Sequence, residues 1–261
     1  DGFVGVHRPM MIAWREKFRA MGLHFLVTLA MAAAAAAVIF LVWFPDPFQA
    51  MLGGVKFFVL ISVVDLVLGP LISLVIYNSK KSRRELIIDY SIVGVVQIAA
   101  FIYGIVAIEH ARPVYIAFVV DRFEVVRAGD LADEDLAAAK DPYRTLPMAG
   151  PVLIGTEFPT DPKLKDELLF SAIGGKDIHR FPSYYAPYAT SQEKIKKQAQ
   201  PLEVLYKRHP EAKQMVADAD LKLPESELRW VPILGRTFWT VLLDANGGPP
   251  LAYLPLDPYD S

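Results

Sequence analysis

The stretch LHFLVTLAMAAAAAAVIFLVWF, from Leu23 to Phe44, decides the fold, because its 22 residues carry no formal charge. At 1.5 Å of rise per residue, a helix of that length crosses a hydrocarbon core about 30 Å thick. Two more runs share the property. Phe57 to Tyr77 holds 21 residues with a single charge, Asp65, and Tyr90 to Ile108 holds 19 with none. Burying three such runs in water would take a larger domain than the remaining chain supplies. The expectation is a membrane α-helical part with three transmembrane helices, spanning about 23–44, 57–77 and 90–108 within a 23–109 region. The first run is longer than the apolar core of a cleaved export signal, which makes it an anchor.

Basic residues in the flanks set the orientation. Arg8, Arg15, Lys17 and Arg19 precede the first run, and Lys80, Lys81, Arg83 and Arg84 precede the third. The link from Pro45 to Lys56 has one Lys and one Asp. Residues 1–22 are therefore a cytoplasmic tail. Three crossings would carry residues 110–261 to the opposite side, the periplasm of a bacterium.

The whole chain of 261 residues is 53% hydrophobic and 21% charged, with a net charge of -2 from 27 basic and 29 acidic residues. No basic field for nucleic acid follows from that balance. Cysteine is absent, which removes disulfides, thiolate nucleophiles and Cys-based metal sites.

Within the apolar runs, Ala32 to Ala37 offers a smooth helix surface, with Ala33 and Ala36 one turn apart, and Ala100 with Gly104 forms a small-xxx-small pair. Such surfaces pack the spans against each other or receive a partner's helix. Asp65 lies nine positions beyond Lys56, about 13 Å deep by helical rise. Insertion there costs roughly 2.5–3.5 kcal/mol, so a facing partner or a protonated carboxyl is expected, with Gln97 as one candidate partner. Pro70 removes a backbone donor from the same run. Asp65 and Pro70 are read as structural or as partner-recognising.

Residues 110–261 read as an α+β domain with an antiparallel sheet. Val114–Val120, Leu228–Leu234, Thr237–Leu243 and Leu251–Leu254 have strand composition, and Asp244–Gly248 signals a hairpin turn. Ser191–Gln200 reads as a helix with a Thr190/Glu193 capping box, cut off by Pro201. Phe181–Tyr188 reads as an irregular, tyrosine-rich loop. Its rings Tyr184, Tyr185 and Tyr188 either lie half buried on the sheet or form a protein-binding surface.

No P-loop, G-x-S-x-G, G-x-G-x-x-G or H-E-x-x-H motif occurs. His7, His24, His110, His179 and His209 show no ligand spacing. Asp133-Glu134-Asp135 matches a metal-binding D-x-D pattern, but it sits at the start of a short helix, 133–140, where acids favour the dipole. No catalytic residue, cofactor or metal is expected.

Three stretches together carry a family resemblance. Trp14 to Phe25, Val64 to Ile72 ending in Tyr77-Asn78, and Lys80 to Leu86 resemble the type IV pilin accessory proteins. Ala111 to Tyr115, Val120 to Phe123 and Leu254 to Asp257 extend the resemblance over nearly the whole chain. The family pattern begins around Trp14, which places the natural start at Met10 or Met11. The resemblance implies an inner-membrane protein that modulates the assembly of a cognate pilin without a catalysed reaction. Its expected partners are that pilin and the lipid bilayer. The alternative class is a membrane-anchored periplasmic protein that senses or binds a ligand.

Overall fold

The computed structural model describes residues 7–53, 58, 59, 62, 67, 71, 72, 75, 76 and 81–260. Asp65 and Pro70 lie outside the described residues. The chain forms two compact units, one of Asp1–Leu41 with Gly54–Ile108 and the other of Val42–Gly53 with Glu109–Ser261.

Among the described residues, the helices ahead of the sheet include α1 (His7–Val38), continued by a π-helical turn over Ile39–Trp43, α2 (Phe48–Leu52) and α3 (Arg83–Ala111). A capping box starts α3, with the Ser82 N–H donating to Glu85 Oε2 at 2.7 Å and the Glu85 N–H to Ser82 Oγ at 3.3 Å. Lys81 pairs with Asp89, eight residues further on, at 2.5 Å.

Among the described residues, two helices are long and apolar enough to cross a membrane, Met21–Trp43 and Arg83–Ala111. This corrects the expectation of three. That expectation included Phe57 to Tyr77, most of which lies outside the described residues. In both remaining helices only 11% of the apolar window is buried. A core helix of a soluble domain hides its apolar face; here Leu26, Leu41, Val95 and Val96 are all exposed.

The second unit is built on an eight-stranded sheet: β1 (Pro113–Val119), β2 (Arg122–Arg127), β3 (Val152–Thr156), β4 (Tyr185–Pro187), β5 (Gln200–Pro201), β6 (Leu228–Leu234), β7 (Phe238–Asp244) and β8 (Ala252–Leu254). Its order is β4-β3-β1-β2-β6-β7-β8, with β5 on β6. β1 runs parallel to β3 and β2 parallel to β6, while the other pairs are antiparallel. The sheet is thus mixed, which corrects the antiparallel expectation. Parallel neighbours need a long crossover. The chain between the parallel partners supplies it: α4 (Asp133–Ala138) lies between β2 and β3, α5 (Pro162–Ile173) between β3 and β4, and α6 (Gln192–Gln198), α7 (Leu202–Arg208) and α8 (Ala212–Asp218) between β4 and β6.

Strand alternation distributes the core over both faces of the sheet. Ile116, Phe118, Phe123, Val125, Val231, Ile233, Val241 and Leu243 share one cluster, whereas Tyr115, Ala117, Val119 and Val126 belong to a second on the other face. Leu228, Trp230 and Leu242 pack with Leu202, Leu205 and Val216 of α7 and α8 in a third. All seven residues of β1 are buried, as a central strand covered on both faces requires.

The link between the first two apolar runs also belongs to this unit. Phe48 and Met51 of α2 are buried in the first cluster, and Phe48 meets the Tyr253 ring edge to face at 5.5 Å. A Cβ on Gly235 would stand 2.7 Å from Met51 Cγ, so the hairpin between β6 and β7 needs glycine where Met51 enters. Gly53, at φ 70°, ends α2 in the left-handed region. The Gly150 N–H donates to Val42 O at 2.8 Å. At the other entry point the buried Arg112 donates through Nε to Glu109 Oε1 at 2.9 Å and through Nη1 to Pro147 O at 2.6 Å.

Local expectations fare unevenly. β1, β6, β7 and β8 lie within a residue of their expected bounds, and Asp244–Gly248 turns with Asp244 Oδ1 accepting from the Asn246 N–H at 2.6 Å. The Thr190/Glu193 capping box does not form: Thr190 Oγ1 donates instead to Pro187 O at 3.0 Å. Nor is Phe181–Tyr188 one irregular loop, since it holds a 3-10 turn at Pro182–Tyr184 and then β4.

Candidate functional site

Within the first unit, α1 and α3 enclose an apolar groove of about 430 Å3. On α3 its lining repeats at Gly94, Gln97, Phe101, Gly104 and Ile108, an alternation of three and four residues that holds one helix face. From α1 come Leu23 with His24, Val27 with Thr28, and Met31 with Ala32, again one turn apart. Phe58 and Ser62 close part of the wall, and the Phe58 ring packs edge to face on Phe40 at 5.2 Å.

Polar groups in the groove are few. Thr28 Oγ1 donates to His24 O within α1 at 3.0 Å. Gln97 lines the groove, and its side chain makes no hydrogen bond among the described residues. A Cβ on Gly94 would meet no atom within 4 Å. The space a Cβ would take on Gly94 is therefore open, on the face of α3 that lines the groove.

The residues singled out in the sequence fall in different places. Gly104 is buried and lines the groove, whereas Ala100 is exposed. Ala36 is half-buried and Ala33 exposed, with Ala32 supplying the alanine that lines the groove. Sequence reasoning missed Gly94 and Phe101. The signal was the spacing 94, 97, 101, 104, 108 read as a stripe, which the Ala100/Gly104 pair leaves by one residue.

In the second unit the tyrosines are mostly built into the protein. Tyr185 is buried, donates its hydroxyl to His179 O, and packs edge to face against Tyr115 at 5.2 Å and Tyr143 at 5.6 Å. Burial pushes its phenol well above the ordinary value. Tyr188 donates to Gly248 O at 2.8 Å and so pins the turn before β8. Tyr184 is half-buried and packs on Phe181.

Charges beside these rings are compensated. Arg122 pairs with the buried Glu124 at 2.6 Å, yet burial outweighs that pairing and raises the Glu124 carboxyl. Burial also works against the charge on Asp130, but hydrogen bonds from the Arg127 guanidinium and backbone N–H prevail and hold its carboxyl below the ordinary value. In the former D-x-D motif, Asp135 pairs with Lys176 at 2.6 Å. Among the described residues no three His, Asp or Glu side chains are grouped to hold a metal ion.

Two exposed apolar helices long enough to cross a membrane, together with a well-packed mixed sheet and its helices, define the class of this protein. A family model, Fimbrial assembly protein FimB, matches residues 12–53, which comprise most of α1, the π-helical turn and α2. The fimbrial assembly protein of serogroup I from Dichelobacter nodosus is 34% identical over 232 residues, covering 86% of this chain and 90% of that protein. The serogroup E1 protein of the same organism is 33% identical over the same shares, and the protein of serogroups C1 and C2 is 42% identical over 118 residues, 45% of this chain. The chain belongs to the fimbrial assembly protein family. This is the pilus accessory family that the Trp14–Phe25 and Lys80–Leu86 motifs resemble. No solved structure matches it.

Proposed function

We propose that the chain is a noncatalytic inner-membrane factor in fimbrial assembly that holds a pilin subunit by its apolar helix before the subunit joins a filament. The observation that carries the reading is the open groove between α1 and α3, lined by small residues at Ala32, Gly94 and Gly104. Lipid gives helices little hydrophobic reason to associate, so close approach along small residues and a few hydrogen bonds must supply the contact. Gln97 offers such a bond from within the groove.

Orientation follows from each helix separately. Arg8, Arg15, Lys17 and Arg19 lie in α1 ahead of its apolar part from Met21, Lys80, Lys81, Arg83 and Arg84 flank the start of α3, and the C-terminal ends of both helices lead into the second unit, at Val42 and at Glu109. The positive-inside rule then puts the second unit in the periplasm, where a pilin's globular head also stands. Membership of the fimbrial assembly family supports the role in assembly.

Photocrosslinkers at Val27 and Gln97 in cells are expected to capture the cognate pilin, while one at Arg83 captures none. Pilin adducts missing from both groove positions, with normal expression, overturn the reading.

A further inference from the structure

The second unit holds a cleft that neither the groove nor fimbrial assembly accounts for. Phe118, Val120, Thr156, Phe158, Lys194 and Lys197 line about 260 Å3 at the end of β1 farthest from Arg112. Its floor is Phe118, held in place by the Thr156 hydroxyl, which donates to Phe118 O at 2.7 Å. On the rim, Val120 is 60% and Phe158 45% exposed. Val120 is also β-branched and stands at φ 54°, in the left-handed region such residues avoid. A strained backbone that keeps an apolar side chain in water beside an apolar floor points to a surface meant to be covered.

Charge says what covers it. Lys194 and Lys197 stand one turn apart on the exposed face of α6, and Lys194 Nζ reaches only Thr156 O, at 3.5 Å. Neither lysine joins an ion pair among the described residues. The volume is small for a free organic ligand, whose pockets run from roughly 300 Å3 upward, and suits one anchoring side chain of a longer chain.

We propose that this cleft docks a short acidic segment of a partner protein, seating an aromatic or aliphatic side chain between Val120 and Phe158 while a neighbouring carboxylate meets Lys194 and Lys197. The proposal is independent of the groove, because it uses other residues in the other unit.

The test is fluorescence anisotropy on the full chain in lipid nanodiscs, with a labelled hexapeptide of alternating aspartate and phenylalanine between terminal glycines. A counterpart with lysine for aspartate and another with serine for phenylalanine serve as controls. Saturable binding of the acidic aromatic peptide alone is expected. The Lys194→Glu/Lys197→Glu double variant should weaken it at least about tenfold, and Phe158→Ser about fivefold, because charge and apolar contact both contribute. These exposed side chains should leave the melting temperature unchanged. Equal binding of the lysine counterpart, undiminished binding by the charge-reversed variant, or no binding at about 1 mM peptide overturns the proposal.

Discussion

Ala32–Ala37 and β1 are both short, uniformly apolar runs, and the protein treats them in opposite ways. The alanines stand on a helix whose backbone satisfies its own hydrogen bonds, and three of the six, Ala33, Ala34 and Ala37, are exposed. β1 satisfies its backbone through β2 and β3, and every residue in it is buried. One run needs an apolar solvent and the other makes its own. Hydropathy cannot separate them. The hydrogen-bond partners do.

Mutations can sharpen that contrast. The largest effect is expected at Met51, which lies in the link between apolar runs yet is 1% exposed in the sheet's core. Met51→Ala should cost about 2–5 kcal/mol, seen as a lower denaturation midpoint of the second unit in detergent. A loss no larger than that of a surface alanine substitution would place Met51 outside the core. Arg112→Ala should cost about 1–3 kcal/mol by the same measurement, since it leaves Pro147 O without its buried donor.

Smaller and pH-dependent is the contribution of Asp130. A carboxyl whose value falls on folding adds stability above its ordinary value of 3.8, and that stability disappears as the pH drops through the lower folded value. Arg127 is half exposed, so solvent screens the pair and the effect should stay below about 1 kcal/mol. Asp130→Asn should lower the melting temperature near pH 6 and converge with the parent at strongly acidic pH. A constant difference across the whole range would show that its charge is not involved.

The least expected change in stability, with a large change in function, is at Gly94. Gly94→Leu meets open space and improves helix propensity, so the fold should persist while pilin crosslinking from Val27 falls sharply. Unaltered crosslinking would take the groove out of the function.

Much of the sheet was legible because Val, Ile and aromatic residues concentrate in β1, β6 and β7. β3 and β4 were not, for physical reasons. β3 carries Gly155, where a Cβ would stand 2.6 Å from Ser191 Oγ, and β4 is Tyr-Ala-Pro at a sheet edge, where the missing proline N–H costs no ladder bond. α5 carried a start signal that the sequence reading passed over, Asp161 as N-cap with Pro162 at the first position, where the Lys163 N–H donates to Asp161 Oδ1 at 2.8 Å. The groove was half legible: glycine and glutamine on α3 were visible, but the facing stripe on α1 is one more apolar stretch in a helix apolar on every side. The docking of α2 left no trace in composition, because its partners lie far along the chain.

That distance has a consequence for biogenesis. Phe48 and Met51 leave the ribosome early, and their core neighbours Val241 and Leu243 emerge about 190 residues later, a separation that makes closure slow and non-local. The second unit therefore cannot complete its core while the chain is still being made. Nascent protein must wait with its sheet open, so a product truncated before β7 should be cut by added protease more readily than the full chain.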